Sequence, residues 1–272
     1  WLNNIDRGSP LFLLHPVGGG VSCYRHVIAS TKLARPVYGI QSPMLFGGAG
    51  QGSLEELAAR YMAKIRTIQP TGPYSLAGWS IGGLLAFEIA RQLEGVGECT
   101  DHLLLIDSYP MKTWRQYEPR DLNDSTELLA FAHDLLGGDF VKAGCSAECN
   151  DQLIAEIAEK GGIEVAQCQR LFDVFRYHLR IAQSYTPRPI SGPVVVLQAS
   201  ESLLDAEAAW SAAVSGGVRV RRIESEHYTI LNADNAPAVA AVLEAEFTAV
   251  HSELELAARE QYLLALGVEG GG

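Results

Sequence analysis

Short apolar runs alternate with segments of helical period in both end regions of the chain. Six segments of strand length predict strands, at 11–14, 37–40, 74–77, 103–106, 193–199 and 218–223. The segments between them predict helices at 22–30, from a cap at Ser53 to residue 68, and at 82–93, 206–213 and 237–250. Continuous apolar strands that alternate with helices are typical of a parallel sheet covered on both faces. The pattern therefore predicts an α/β fold with a mostly parallel central sheet.

Residues 111–189 interrupt this alternation. The segment predicts no strand but three helices, at 125–136, 151–160 and 164–185, separated by glycine pairs. A helical insertion of about 80 residues within an α/β pattern favours a cap over the functional edge of the sheet rather than an independent domain. We therefore predict that 1–110 and 190–272 form one core and that 111–189 forms a helical lid.

Composition and charge narrow the class of protein. The chain has 272 residues, 47% of them hydrophobic, which is enough for a substantial core. The net charge of −11 argues against a surface that neutralises nucleic acid phosphates. The longest apolar runs hold about four residues, far fewer than the roughly 20 that cross a bilayer. Nucleic acid and membrane are therefore not expected partners.

The cysteines predict the cellular compartment, and the chain ends indicate whether the chain is part of a larger polypeptide. Five scattered cysteines without a C-x-x-C pair favour a reducing, cytoplasmic compartment. Cys145 and Cys149 resemble half of a metal site, but no nearby His or Cys pair completes four ligands, so no metal is expected. The sequence contains no recognisable signal-peptide pattern and runs from Trp1 to a glycine triplet, so we expect it to be a piece of a larger polypeptide.

The sharpest chemical motif is Gly78-Trp79-Ser80-Ile81-Gly82, between a predicted strand and a predicted helix. A nucleophile on a tight strand-to-helix turn needs small residues two positions to either side, because larger side chains would collide where the backbone reverses. Gly78 and Gly82 meet this need. We predict that Ser80 is the nucleophile; the alternative is that the glycines only permit close packing of helix on strand.

A serine nucleophile needs a base and an acid that orients the base. Of the seven histidines, His227 is the one on a loop after the last predicted strand, where the chain order serine, acid, histidine places the base. Asp107 ends the fourth predicted strand, and we favour it as the acid because a strand end is a rigid platform. Glu201 and Asp205, after the fifth predicted strand, are the alternative acids.

Two backbone N–H groups are predicted to form an oxyanion hole. One belongs to Ile81, directly after the nucleophile, and the second to Val17 in the glycine-rich loop after the first strand. A phosphate-binding role for this loop is disfavoured, because it lacks both the G-x-G-x-x-G spacing and a P-loop lysine.

The sequence resembles the thioesterase domains of polyketide synthases and nonribosomal peptide synthetases, over nearly its whole length. The resemblance is carried by LFLLHPVGGG (11–20), PVYGIQ (36–41), GPYSLAGWSIGGLLAFEIA (72–90), LLLIDSYP (103–110) and EHY (226–228). It implies an α/β-hydrolase fold with Ser80, Asp107 and His227 as catalytic triad. Trp79 and the HPVGG loop are more similar to a domain built into a synthase than to a free-standing editing thioesterase. Glu226 departs from the family, in which glycine is common at this position.

The resemblance also implies a reaction and a partner. The substrate would be a polyketide or peptidyl chain held as a thioester on the phosphopantetheine arm of an acyl or peptidyl carrier protein, expected upstream in the same polypeptide. Release would proceed through an acyl-serine intermediate, by hydrolysis or macrocyclisation, without a cofactor of the domain's own. The alternatives are a stand-alone esterase or lipase, an editing thioesterase and a non-catalytic hydrolase-like binding module.

Overall fold

The computed structural model describes residues 2–113, 124–136, 150–202 and 204–247. The strands are β1 (Leu11–Leu14), β2 (Val37–Ile40), β3 (Tyr74–Trp79), β4 (Thr100–Ile106), β5 (Val194–Ala199) and β6 (Val218–Ile223). The helices are α1 (Arg25–Ser30), α2 (Leu54–Ile68), α3 (Ile81–Gly95), α4 (Asp124–Leu136), α5 (Asn150–Gly161), α6 (Val165–Ser184), α7 (Ala206–Trp210) and α8 (236–247). Short 3-10 turns lie at Ser22–Tyr24 and Pro43–Phe46.

The six strands form one sheet in the order β2-β1-β3-β4-β5-β6, and every neighbouring pair is parallel. Successive side chains of a strand point to opposite faces, so Phe12 and Leu14 join a core with α2, α3 and α6. Leu11 and Leu13 join a second core with α1 and α8 on the other face. Burial on both faces explains why the inner strands β1, β3 and β5 are largely apolar. The edge strand β6 instead carries three arginines and is mostly exposed or half-buried. The predicted parallel sheet is confirmed.

Several element boundaries differ from the sequence prediction. β3 extends two residues beyond 77, because Gly78 and Trp79 continue the pairing with β4. The helix predicted over 206–213 ends at Trp210, since the chain then forms a bridge between Ile190 and Val214. The predicted cap at Ser53 is confirmed: its hydroxyl accepts from the backbone of Glu56, whose carboxylate accepts from the backbone N–H of Ser53.

The segment between β4 and β5 contains α4, α5 and α6, and the described part of 111–189 includes no strand. None of the described helices is both long and apolar enough to cross a membrane. The predicted functional residues follow the carboxyl ends of strands: Val17 follows β1, Ser80 follows β3, Asp107 follows β4 and His227 comes after β6. In a parallel sheet these ends meet at one edge, which is where ligands bind in open α/β folds.

Candidate active site

Ser80 lies on a strained turn between β3 and α3. Its backbone has φ 56° and ψ −125°, in the region of positive φ that residues with a side chain rarely adopt. The N–H of Ser80 donates to the carbonyl of Ile106 at 3.0 Å, and the carbonyl of Ser80 accepts from Gly83 at 3.0 Å. Strain of this kind persists only where the surroundings hold it, and it collects at functional sites.

The glycines beside Ser80 are required by backbone contacts. A Cβ on Gly78 would lie 2.2 Å from the carbonyl of Gly82, and a Cβ on Gly82 would lie 2.4 Å from the backbone oxygen of Leu14. The first contact lies within the turn, as the nucleophile hypothesis expects. The second lies between α3 and β1, so the glycines also allow the helix to approach the sheet closely.

Asp107 is held rigidly at the end of β4. It is completely buried, and with φ 40° it is the other non-glycine residue with positive φ in the described part of the chain. Its Oδ1 accepts from the backbone N–H of Ala199 at 3.0 Å and from the hydroxyl of Tyr109 at 2.9 Å. The two bonds to one oxygen leave Oδ2 directed at His227.

His227 lies against Asp107 and beside the serine turn. Its Nδ1 is 2.7 Å from Asp107 Oδ2, and its ring centroid is 5.2 Å from that of Trp79, the neighbour of Ser80. A carboxylate only accepts, so Nδ1 carries the hydrogen and Nε2 keeps a lone pair that can accept a proton. The side chain of His227 is 15% exposed, so the ring is not sealed in the core.

The alternative acids lie elsewhere. Asp205 caps α7 through a bond from the N–H of Ala208 to its Oδ1 at 3.1 Å, and it is exposed. Glu201 is exposed in the turn after β5. The structure therefore brings Asp107, rather than Glu201 or Asp205, to His227, while the catalytic roles themselves stay predictions.

The loop that carries Val17 is fixed by two buried histidines. The carbonyl of Val17 accepts from Nδ1 of His178 in α6 at 2.8 Å. The carbonyl of Pro16 accepts from Nδ1 of His15 at 2.7 Å, and Nε2 of His15 accepts from the hydroxyl of Tyr61 at 2.6 Å. Burial, together with the neighbouring His178, lowers the pKa of His15 to about 3, and burial lowers the pKa of His178 to about 4. Both rings are therefore neutral at physiological pH.

The predicted partner of Val17 lies at the start of α3. Ile81 is the first residue of that helix, and the first N–H groups of a helix have no carbonyl partner within it. These N–H groups also lie at the positive end of the helix dipole, which favours a developing negative charge. The geometry supports Val17 and Ile81 as candidate donors.

Two supporting contacts were missed by the sequence analysis. The buried hydroxyl of Tyr24 donates to the carbonyl of Leu14 at 2.7 Å and accepts from the N–H of Trp79 at 2.8 Å, so it joins the ends of β1 and β3. His133 of α4 packs edge-on against Tyr228 with ring centroids 4.0 Å apart. Neither Tyr24 nor His133 belongs to a recognised sequence motif. Each contact joins segments that are distant in the sequence, so local pattern does not reveal it.

No group of three or more His, Cys, Asp and Glu side chains in the described ranges could hold a metal ion. Cys23, Cys99 and Cys168 are free thiols. Cys145 and Cys149, the half-site considered from the sequence, lie outside the described residues, as does His251.

Comparison with known sequences identifies the family. Residues 9–247 match the family model of the thioesterase domain. A dimodular nonribosomal peptide synthase of Bacillus subtilis (strain 168) is 31% identical over 201 residues, which are 70% of this chain and 8% of that protein. The polyketide synthase PksR of the same organism is 40% identical over 108 residues, which are 39% of this chain and 4% of that protein. The matched part of the chain thus spans less than a tenth of the length of each of these relatives.

Solved structures show the same fold. A four-domain nonribosomal peptide synthetase bound to AMP and glycine matches with a TM-score of 0.75 and 27% identity, over 88% of this chain and 19% of that one. The NocB thioesterase domain of the nocardicin cluster matches with a TM-score of 0.65 and 21% identity, over 89% and 95% of the two chains. The RedJ thioesterase of Streptomyces coelicolor matches with a TM-score of 0.64 and 22% identity, over 88% of this chain and 90% of that one. The expected α/β-hydrolase fold is thereby confirmed, and the chain belongs to the thioesterase domain family, of the polyketide synthase and nonribosomal peptide synthetase type.

Proposed function

We propose that this domain is a serine thioesterase that releases a polyketide or peptidyl chain from the phosphopantetheine thioester of a carrier protein. The observation that carries the proposal is the 2.7 Å bond between His227 and Asp107 beside the strained Ser80 turn. Thioesterase family membership supports the thioester as substrate. The multidomain relatives support an acyl or peptidyl carrier as partner, upstream in the same polypeptide.

Acylation uses the three side chains in sequence. Ser80 Oγ attacks the thioester carbonyl carbon while Nε2 of His227 accepts the serine proton, and Asp107 stabilises the resulting imidazolium through Nδ1–H. The tetrahedral intermediate then collapses. The carbon–sulfur bond breaks, the phosphopantetheine thiolate takes the proton from His227 Nε2, and the acyl group remains on Ser80.

The negative charge of the tetrahedral intermediate develops on the former carbonyl oxygen. The backbone N–H groups of Val17 and Ile81 are proposed to donate to it. The His178 bond to the Val17 carbonyl supports this role, because it restrains the peptide segment that carries the donor. A donor fixed before reaction costs no reorganisation when the charge forms.

Deacylation repeats the chemistry with a second nucleophile. His227 removes a proton from water, which gives a free acid, or from a hydroxyl or amine of the same chain, which gives a macrocycle. In either case the proton returns to Ser80 Oγ as the ester bond breaks. Nucleophile, base and acid are all side chains of this domain, so the proposed reaction needs neither a metal nor a cofactor of its own.

The helical segment 111–189 is proposed to be a lid on a core formed by 1–110 and 190–272. Two contacts support this: α6 reaches the loop after β1 through His178 and Val17, and α4 reaches the His227 loop through His133 and Tyr228. A segment that contacts both sides of the site can exclude water from it. The free thiols fit the reducing cytoplasm in which we place the protein.

The proposed function is tested by presenting one acyl group in two forms, as a thioester on a carrier protein and as an aryl ester. We expect kcat/KM to be higher for the carrier thioester, because the arm and the carrier supply binding energy that the aryl ester lacks. Turnover of the aryl ester alone would identify an esterase instead. Binding of acyl-carrier without turnover of either substrate would identify a non-catalytic module.

A further inference from the structure

The side chain of Asp134 in α4 lies at the predicted oxyanion loop. Its Oδ2 would be 2.8 Å from a Cβ placed on Gly18, so the carboxylate occupies the space that a side chain at this position would need. Asp134 also interacts electrostatically with His227 and with Cys23 in the turn after that loop. The carboxylate of α4 therefore reaches the loop of Val17 and lies within electrostatic range of the predicted base.

The side chain of Asp134 is half-buried, and it differs from the buried acids of the core in having no fixed cationic partner. Glu88 is paired with Arg91, Glu127 with Arg176, Glu246 with Arg219 and Arg221, and Asp107 with His227. Within the described ranges, the cationic side chain that acts on Asp134 is His227, which is charged only when protonated. Burial accordingly raises the pKa of Asp134 to about 6.

A carboxylate that loses part of its hydration without gaining a fixed cationic partner is destabilised in its charged form, and such groups are typical of functional sites. Ionised Asp134 also lies where it opposes a second negative charge, the oxyanion expected at Val17 and Ile81. Both costs vanish if the substrate brings a positive charge to Asp134. The cation must then be part of the acyl chain, because it is needed close to the reacting carbonyl.

We propose that Asp134 forms a subsite for a cationic group, an ammonium or its equivalent, carried by the acyl chain near the thioester carbonyl. The subsite rests on the proposed thioesterase function and specifies its substrate class: aminated polyketide or peptidyl chains. Asp134 determines specificity and takes no part in the transfer of protons or of the acyl group.

The test compares two isosteric thioesters at each of several chain lengths. One chain ends in a trimethylammonium group and the other in a tert-butyl group, both as N-acetylcysteamine thioesters, so that charge is the difference and no amine can attack the thioester. For the wild type we expect kcat/KM about tenfold higher for the cationic chain at the length that reaches Asp134. In Asp134→Asn this preference should disappear, because kcat/KM falls for the cationic chain and stays equal or rises for the neutral chain.

The control variant is Asp173→Asn, which makes the same chemical change at an exposed position of α6. It should keep the wild-type preference. Asp134→Ser is the second variant, and near-ultraviolet circular dichroism establishes that each variant is folded.

The outcomes separate the subsite from the function on which it rests. Equal turnover of the two chains by the wild type at every length overturns the subsite alone. The subsite is also overturned if Asp134→Asn keeps the preference for the cationic chain, or if it lowers kcat/KM equally for both chains. Asp134 would then affect binding of the phosphopantetheine-like part of the substrate or the folding of the domain. If no thioester is turned over and none acylates the protein, the proposed thioesterase function falls, and the subsite falls with it.

Discussion

Nδ1 of His178 donates a hydrogen bond to the backbone oxygen of Val17 at 2.8 Å, with the His178 side chain completely buried. The bond joins α6 of the predicted lid to the loop whose N–H is the proposed oxyanion donor. The position of this donor therefore depends on a helix that follows it by about 160 residues in the sequence.

Removal of this bond is expected to lower kcat. His178→Phe keeps a buried ring but cannot donate to Val17, so we expect kcat to fall about 10- to 100-fold while KM changes little, because the oxyanion forms only in the transition state. His178→Gln retains an N–H donor and should recover part of the rate. His102→Phe, a buried ring on the other face of the sheet against Phe247, is the matched control. Equal losses in His178→Phe and His102→Phe would show a general packing effect instead.

The buried histidines also predict how stability depends on pH. Burial lowers the pKa of His178 to about 4, whereas the unfolded chain has an ordinary value near 6.5. Between these pH values the unfolded state binds a proton that the folded state does not. The contribution of neutral His178 to the free energy of unfolding is therefore complete above about pH 6.5 and is lost as pH falls toward 4. For one titrating group, the free energy of unfolding changes by at most about 1.4 kcal/mol per pH unit.

Urea unfolding between pH 7 and pH 5 measures this dependence. In His178→Phe the free energy of unfolding should fall less steeply with decreasing pH than in the wild type, by up to that slope. An unchanged slope would mean that His178 is not neutral and desolvated in the folded protein.

The choice of acid is tested by mutation of Asp107. Asp107→Asn should lower kcat by about a thousandfold or more, because an amide no longer holds His227 in the tautomer with hydrogen on Nδ1. Asp205→Asn and Glu201→Gln serve as controls, and an asparagine at 205 still caps α7. Near-normal kcat in Asp107→Asn with a large loss in either control would transfer the role to that residue.

The glycine requirement beside the nucleophile is expected to be steric. In Gly82→Ala the new Cβ would lie 2.4 Å from the carbonyl oxygen of Leu14, so we expect a loss of stability of about 3 kcal/mol or more. Gly95→Ala lies at the end of the same helix with open space around the added Cβ, and should be neutral or stabilising by up to about 1 kcal/mol. Thermal unfolding distinguishes the two, and a Gly82→Ala protein of wild-type stability would contradict the packing.

The sequence was sufficient wherever local pattern determines structure. The inner strands β1, β3 and β5 are largely apolar because both of their faces are buried. The Ser80 turn carries its steric requirement in Gly78 and Gly82. The sequence did not predict the links between distant segments. His178 and Asp134 lie on helices whose orientation depends on packing with the sheet, and the hydroxyl of Tyr24 joins two strand ends across 55 residues. The end of α7 at Trp210 was missed for the same reason, since a tertiary bridge ends the helix.

The central claim is that Ser80 carries the acyl chain during release. Intact-mass spectrometry after rapid mixing with an acyl-carrier thioester, followed by peptide mapping, tests it directly. We expect the wild type to gain the mass of the acyl group on the peptide that contains Ser80, and Ser80→Ala to gain none and not to release the chain. Turnover by Ser80→Ala, or an adduct on a different residue, would contradict it.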